Sequence, residues 1–194
     1  PVSKFWGPHS QHYAYNGGTS MSAPLVAGCA ALVREYYQKR KGHAPSASLV
    51  KATLINGTRW LGGQDSTADH PTQPNFHQGF GAIDMSHTIP IADSQADPPE
   101  YPRFHLNFID NWKDPNRHLA FTGNRHRYQF SLDAPGELRI CLAYTDLPAR
   151  ALQNNLNLFL QMLPFSTRKW NGNQQLPFSL GGPDTTNNVE VIRL

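Results

Sequence analysis

Residues 17–41, GGTSMSAPLVAGCAALVREYYQKRK, constrain this chain more than any other stretch. Leu25, Val26, Cys29, Leu32, Val33 and Tyr36 recur at helical spacing, which predicts a helix over 20–41. Its first half is apolar or small on every side, the pattern of a helix buried within a core. Lys39, Arg40 and Lys41 end it, where cations complement the helix dipole, and Gly42 is placed to close it. Pro24 has no N–H to offer the Ser20 carbonyl, so the first turn is expected to be irregular.

That first turn admits two readings of Ser20. Thr19 or Ser20 can cap the helix, a side-chain oxygen accepting one of the orphan N–H groups. Gly17 and Gly18 permit a tight turn or a close backbone approach just before it. The same turn would present Ser20 at a helix N-terminus, where free N–H groups and the dipole stabilise developing negative charge. Spacing alone leaves both readings open, with capping the more common use of such residues.

A second helix is predicted over 46–55, between Pro45 and the Asn56-Gly57 turn. Residues 60–78 read as a surface loop, and GFGAIDM at 79–85 as a short strand. The stretch TIPIADSQADPPEYP, 88–102, holds four prolines and three carboxylates and reads as a linker. Beyond it the pattern turns to strands: HLAFTG at 118–123, HRYQFSLD at 126–133, GELRICLAYTD at 136–146, NNLNLFLQ at 154–161 and NNVEVIRL at 187–194. Two domains are expected: 1–90, containing the helices, and 103–194, all β, joined by 91–102.

Hydrophobic residues at 39% against 16% charged make this a folded chain. The net charge of +3 is scattered apart from 39–41, and no basic stripe alternates with aromatics, so no nucleic-acid partner is expected. The longest apolar run, 23–33, contains Pro24 and Gly28 and is about half a membrane span, so no membrane partner is expected either. Cys29 and Cys141 lie far apart with no second ligand at metal spacing, and read as two buried thiols. Asn56-Gly57-Thr58 fits the N-glycosylation pattern but reads better as a turn after a helix.

Gly18-Thr19-Ser20-Met21-Ser22-Ala23-Pro24, continued by Val26-Ala27-Gly28, resembles the active-site serine motif of the subtilisin-like serine peptidases, the subtilases, which runs Gly-Thr-Ser-Met-Ala-x-Pro. The one departure is Ser22, a small residue for a small residue. The order of helix, Gly-Ala-Ile-Asp segment, linker and β stretches is similar to subtilases with a C-terminal jelly-roll domain. AYTD at 143–146, NNLNLFL at 154–160 and TNNVEVI at 186–192 carry that likeness, with Asn155 and Asn157 where the branch typically has Asp.

The resemblance implies the C-terminal part of an α/β subtilisin-like catalytic domain followed by an all-β jelly-roll domain, incomplete at its C-terminus. It implies a secreted serine endopeptidase acting on polypeptides, with Ser20 as acyl-forming nucleophile and Gly18 and Thr19 beside the substrate. The catalytic Asp and His and the oxyanion Asn of the family precede the serine motif. They are therefore expected upstream of Pro1, in the same or a second chain, and this chain alone is expected to be inactive. His9 and His12 precede Ser20 but lack the His-Gly-Thr context.

A serine hydroxyl requires a base in reach and a group orienting that base, which is why those residues matter. No cofactor is required for the chemistry. Structural calcium is admissible, since Asp146, Asn154, Asn155, Asn157 and Asp184 could offer oxygens; the competing reading has these side chains satisfying turn backbone. Two other functions compete with the peptidase. One is a proteolytically inactive relative whose β domain binds a partner or glycan, with Trp112, Trp170 and Phe178 as contacts. The other is a lipase-like hydrolase recruiting Asp65 or Asp84 and a later His, disfavoured because Ser22 stands where the nucleophile elbow wants Gly.

Overall fold

The computed structural model describes residues 9–62, 74–75, 77–90, 103–163, 169–173 and 183–194. Helix α1 spans Thr19–Lys41, α2 Ala47–Asn56 and the single turn α3 Met85–Thr88. Strands follow as β1 Arg139–Ala143, β2 Phe159–Gln161, β3 Lys169–Asn171 and β4 Val189–Arg193.

The helix boundaries follow from the capping chemistry. The N–H groups of Met21 and Ser22 both donate to the Gly18 carbonyl, at 3.0 and 3.2 Å, so α1 starts on a tightened turn and then runs unbroken through Pro24. Gly42 adopts the left-handed conformation and returns its N–H to the Tyr37 carbonyl, closing α1 as its sequence predicts. Ser46 caps α2 by accepting the Leu49 N–H at 3.0 Å.

The helical core forms where one stripe of α1 meets α2. Val33 and Tyr37 pack with Leu49, Val50 and Leu54, and the returning chain lays Leu106 and Phe108 alongside. The Tyr37 hydroxyl meets Thr53 Oγ1 at 2.9 Å, and Thr53 donates to the Leu49 carbonyl at 2.8 Å. Asp110 accepts the Ser46 N–H at 2.8 Å and meets His43 Nε2 at 2.9 Å, which pins the returning chain to the α1–α2 junction.

The expectation of an all-round buried α1 is corrected here. Leu25 is 71% exposed, and Met21, Val26 and Leu32 are exposed with it. Among the described residues α2 and the 106–108 segment lie along one side of α1 only, so its other apolar positions have no cover.

In the β part, β1 pairs antiparallel with β4, Cys141 opposite Val191. Between them in sequence, β2 pairs antiparallel with β3, Leu160 opposite Trp170. Asn173, just past β3, joins the two pairs: its N–H donates to the Val191 carbonyl and its side-chain oxygen accepts the Val191 N–H. The strand at 169–171 was not anticipated.

Segments 118–123 and 126–133, expected as strands, form none. No partner edge reaches them among the described residues, and Tyr128, Phe130 and Leu132 alternate along an exposed, unpaired run. The described residues therefore contain two two-stranded sheets, and a jelly-roll sandwich is not evident in them. GFGAIDM forms no strand, only the isolated Asn75–Gly79 and Arg59–Ala82 bridges before α3 begins. The linker 91–102 and most of the 60–78 loop fall outside the described residues.

Two arginines fasten the sheet to the end of α2. Arg193 Nη2 donates to the Ile55 carbonyl at 3.1 Å and to Thr58 Oγ1 at 2.6 Å, while Arg139 Nη1 reaches the Thr58 carbonyl at 3.4 Å. These cations meet the negative end of the helix dipole, where carbonyls lack helical donors. Replacing Arg193 by Met is expected to lower unfolding stability by about 1.5–3 kcal/mol, the range for hydrogen bonds from a charged donor. Urea titration at unchanged m reads this; an unmoved midpoint would show that the clamp contributes nothing.

Candidate functional site

Gly18 occupies the N-cap of α1 with φ 137° and ψ 173°, a region favouring glycine, and its side-chain-free surface leaves open space around it. No side-chain cap bond forms there, so neither Thr19 nor Ser20 plays the capping role that spacing made the commoner reading. Gly17 donates its N–H to Asn16 Oδ1 at 2.9 Å, completing the turn into the helix.

Thr19 and Ser20 are exposed in the first turn of α1. Among the described residues the Ser20 hydroxyl makes no hydrogen bond, and the N–H groups of Thr19 and Ser20 are likewise unengaged, whereas those of Met21 and Ser22 are satisfied by Gly18. An unengaged hydroxyl thus sits beside free donors at the positive end of a helix of 23 residues. Such donors stabilise an oxyanion if a carbonyl is attacked there.

The other half of a nucleophile's requirements is not assembled around Ser20 by the described residues. His9 Nδ1 is bonded to the Tyr15 hydroxyl at 2.9 Å, with the two rings edge to face. The backbone N–H of His12 donates to the Ser10 hydroxyl oxygen. Asp84 is the N-cap of α3, accepting the Ser86 N–H at 3.0 Å and the Ser86 hydroxyl at 2.6 Å, with His87 Nδ1 at 3.1 Å. The Ser86 hydroxyl holds the Asp84 carboxyl below its usual range, helped by His87. This serine, histidine and aspartate are a helix cap; no contact among the described residues links them to Ser20, and Asp65 lies outside the described residues.

The oxygens considered for calcium fall in two separate places. Asp146 accepts the Gln153 N–H at 2.6 Å and the Asn154 side-chain amide at 2.8 Å. Asp184 accepts the Thr186 and Asn187 N–H groups and the side-chain amides of Asn173 and Asn187, at 2.6–3.1 Å. Both carboxylates accept N–H donors of their own turns, as the turn reading expects. No three His, Cys, Asp or Glu side chains converge among the described residues.

Cys29 and Cys141 are both free and partly buried. Burial pushes the Cys141 thiol up to about 12, which removes it as a nucleophile at neutral pH. Asn56 donates to the Arg139 carbonyl and Thr58 is buried, so the sequon is used as a turn. Trp170 is buried in β3, Trp112 is exposed with Lys113 Nζ 4.5 Å over its ring, and Phe178 lies outside the described residues.

One feature escaped the reading of the sequence: an open apolar groove of about 350 Å³, lined by Val26, Lys51, Leu54, Ile55, Phe80 and Ile83 among others. Its only forewarning was the all-round apolar character of α1. No helix among the described residues is long and apolar enough to cross a membrane.

Residues 3–81, which contain this turn, match the Subtilase family. The chain is also 34% identical, over 196 residues, to a serine protease/ABC transporter B family protein, tagA, of Dictyostelium discoideum. That alignment takes in 91% of this chain and 10% of the relative, so the chain spans about a tenth of the length of the protein it matches. Both matches are to sequences described as peptidases.

Proposed function

We propose that this chain carries the nucleophile end of a subtilase-type serine endopeptidase, with Ser20 forming the acyl-enzyme. The observation that carries the reading is the exposed, unbonded Ser20 hydroxyl beside free N–H groups at the start of α1, inside the segment that matches the family. Ser20 Oγ attacks the scissile carbonyl, its proton passes to a histidine, and the Ser20 N–H holds the developing oxyanion. Gly18 and Thr19 border the path of the polypeptide substrate.

The histidine, its aspartate and the second oxyanion donor, an asparagine, come from sequence outside these 194 residues. The uncovered apolar positions of α1 and the adjacent groove support this division, because a stable domain buries such surface. Alone, the chain does not hydrolyse peptides.

We further assign 1–90 to the catalytic domain, 91–102 to a linker and 103–194 to a jelly-roll-type β domain. The β2–β3 pair nested between β1 and β4 favours the last assignment, since a long hairpin folded on itself gives that connectivity. Export from the cell is the compartment this reading entails, with polypeptides as partners.

The test is turnover by the full-length protein of an internally quenched peptide, set beside a short-chain nitrophenyl ester and retention on immobilised polysaccharide. Peptide cleavage at an internal bond is expected. Retention without cleavage would favour the inactive binding relative, and ester turnover by the 194-residue chain alone would favour the lipase-like reading.

A further inference from the structure

The sequence holds three Asn-Gly pairs, Asn16-Gly17, Asn56-Gly57 and Asn171-Gly172. Such a pair can rearrange without an enzyme, because glycine puts no side chain between its backbone nitrogen and the preceding amide carbon. The fold decides which pairs do so. The glycine nitrogen must come over the asparagine Cγ, and any bond that fixes its N–H within a helix or a ladder has to open first.

Two of the three are held. Asn56 ends α2, where the Gly57 N–H donates to the Thr53 carbonyl at 3.2 Å and the Asn56 amide to the Arg139 carbonyl at 3.3 Å. Gly57 is also tightly packed: a Cβ added to it would come 2.2 Å from Thr88 Oγ1. Asn171 is 9% exposed in β3, and the Gly172 N–H donates to the Leu158 carbonyl at 2.9 Å. Asn16 differs on each count. It is exposed, it lies outside any helix or strand, and the Gly17 N–H makes no backbone bond among the described residues. That N–H instead donates to Asn16 Oδ1 at 2.9 Å, which holds the nitrogen beside the carbon it would attack.

We propose that Asn16 is a deamidation site whose modification resets the turn in front of Ser20. The Gly17 nitrogen, having given its proton to water or hydroxide, bonds to Asn16 Cγ. The Cγ–Nδ2 bond then breaks, and the amide nitrogen takes up a proton and leaves as ammonia. The product is a five-membered succinimide. Water opens this ring at Cγ to give aspartate, or at the main-chain carbon to give isoaspartate, whose chain continues through Cγ. Neither step exchanges electrons.

The two products differ in effect. Aspartate keeps the chain length, and its charge falls near the positive end of α1, where an anion is favoured. Isoaspartate inserts a methylene into the main chain between residues 16 and 17. Gly18 follows directly, and its carbonyl takes the N–H groups of Met21 and Ser22 at 3.0 and 3.2 Å. It caps α1 through its own backbone angles, φ 137° and ψ 173°, with no side-chain bond to hold it in place. A longer chain ahead of it therefore shifts the start of α1, and Ser20 with it.

The test is incubation of the 194-residue chain at pH 8.5, with peptide mapping over time that separates aspartate from isoaspartate. Asn16 is expected to convert at least about tenfold faster than Asn56 and Asn171, which must wait on local opening. Isoaspartate is expected among its products. Gly17→Ala, which sets a methyl group beside the attacking nitrogen, is expected to slow conversion at 16 and leave 56 and 171 unchanged. Amide exchange at Met21 and Ser22, corrected for intrinsic rates, is expected to rise in the isoaspartate fraction and not in Asn16→Asp. Equal rates at the three pairs, an unchanged rate in Gly17→Ala, or unaltered exchange in the isoaspartate fraction would each overturn the proposal. None of these readouts depends on peptidase activity, so they decide the site whatever the role of Ser20.

Discussion

Ser20→Ala in the full-length protein is expected to lower peptidase kcat by about 10⁶-fold with little change in KM. That is the scale of loss when the nucleophile of a serine–histidine–aspartate triad is removed, because the triad acts as a unit and no partner substitutes for the missing oxygen. The substitution removes one hydroxyl from an exposed position that makes no hydrogen bond among the described residues, so folding should be untouched. The N–H groups of Thr19 and Ser20 remain, and with them a residual acceleration of about 10³–10⁴ over water from the oxyanion donors and binding. Initial rates on a quenched peptide, with thermal midpoints of both proteins, separate this from a structural effect. A loss below tenfold would remove Ser20 from the chemistry.

Tyr37→Ala carries the largest expected effect on stability. Tyr37 is fully enclosed, its ring meets Phe108 edge to face at 4.8 Å, and its hydroxyl reaches Thr53. Truncation removes a large buried ring, leaves a cavity between α1 and α2, and strands the Thr53 hydroxyl with only its bond to Leu49; about 3–5 kcal/mol should be lost. Tyr37→Phe isolates the hydroxyl bond and should cost about 1 kcal/mol. Urea unfolding of both variants reads the difference. Near-equal losses would mean that the polar pair, and not the packing of the ring, holds the helices together.

Much of the helical part was legible because its signals are local. Gly42 after a run of cations, Pro45 and Asn56-Gly57 on either side of the second helix and the spacing through 25–36 each act within one or two turns. The exposure of α1 among the described residues was not legible for the opposite reason: an apolar face says what a helix can bury, while its neighbours decide what it does bury. The same limit applies to 118–133, where alternating residues make a strand competent but a ladder requires a second edge. Ser20 was singled out as a candidate through its motif; that Gly18 and not a side chain caps α1 depends on a backbone angle that glycine permits and spacing does not reveal.

The most direct test of Ser20 as nucleophile is labelling with a fluorophosphonate, followed by mapping of the adduct, in the full-length protein and in the 194-residue chain. The expected result is an adduct on Ser20 in the full-length protein, absent after Ser20→Ala and absent from the chain alone. An unlabelled Ser20 in the full-length protein would contradict the account, and labelling of the isolated chain would place the activating base within these residues.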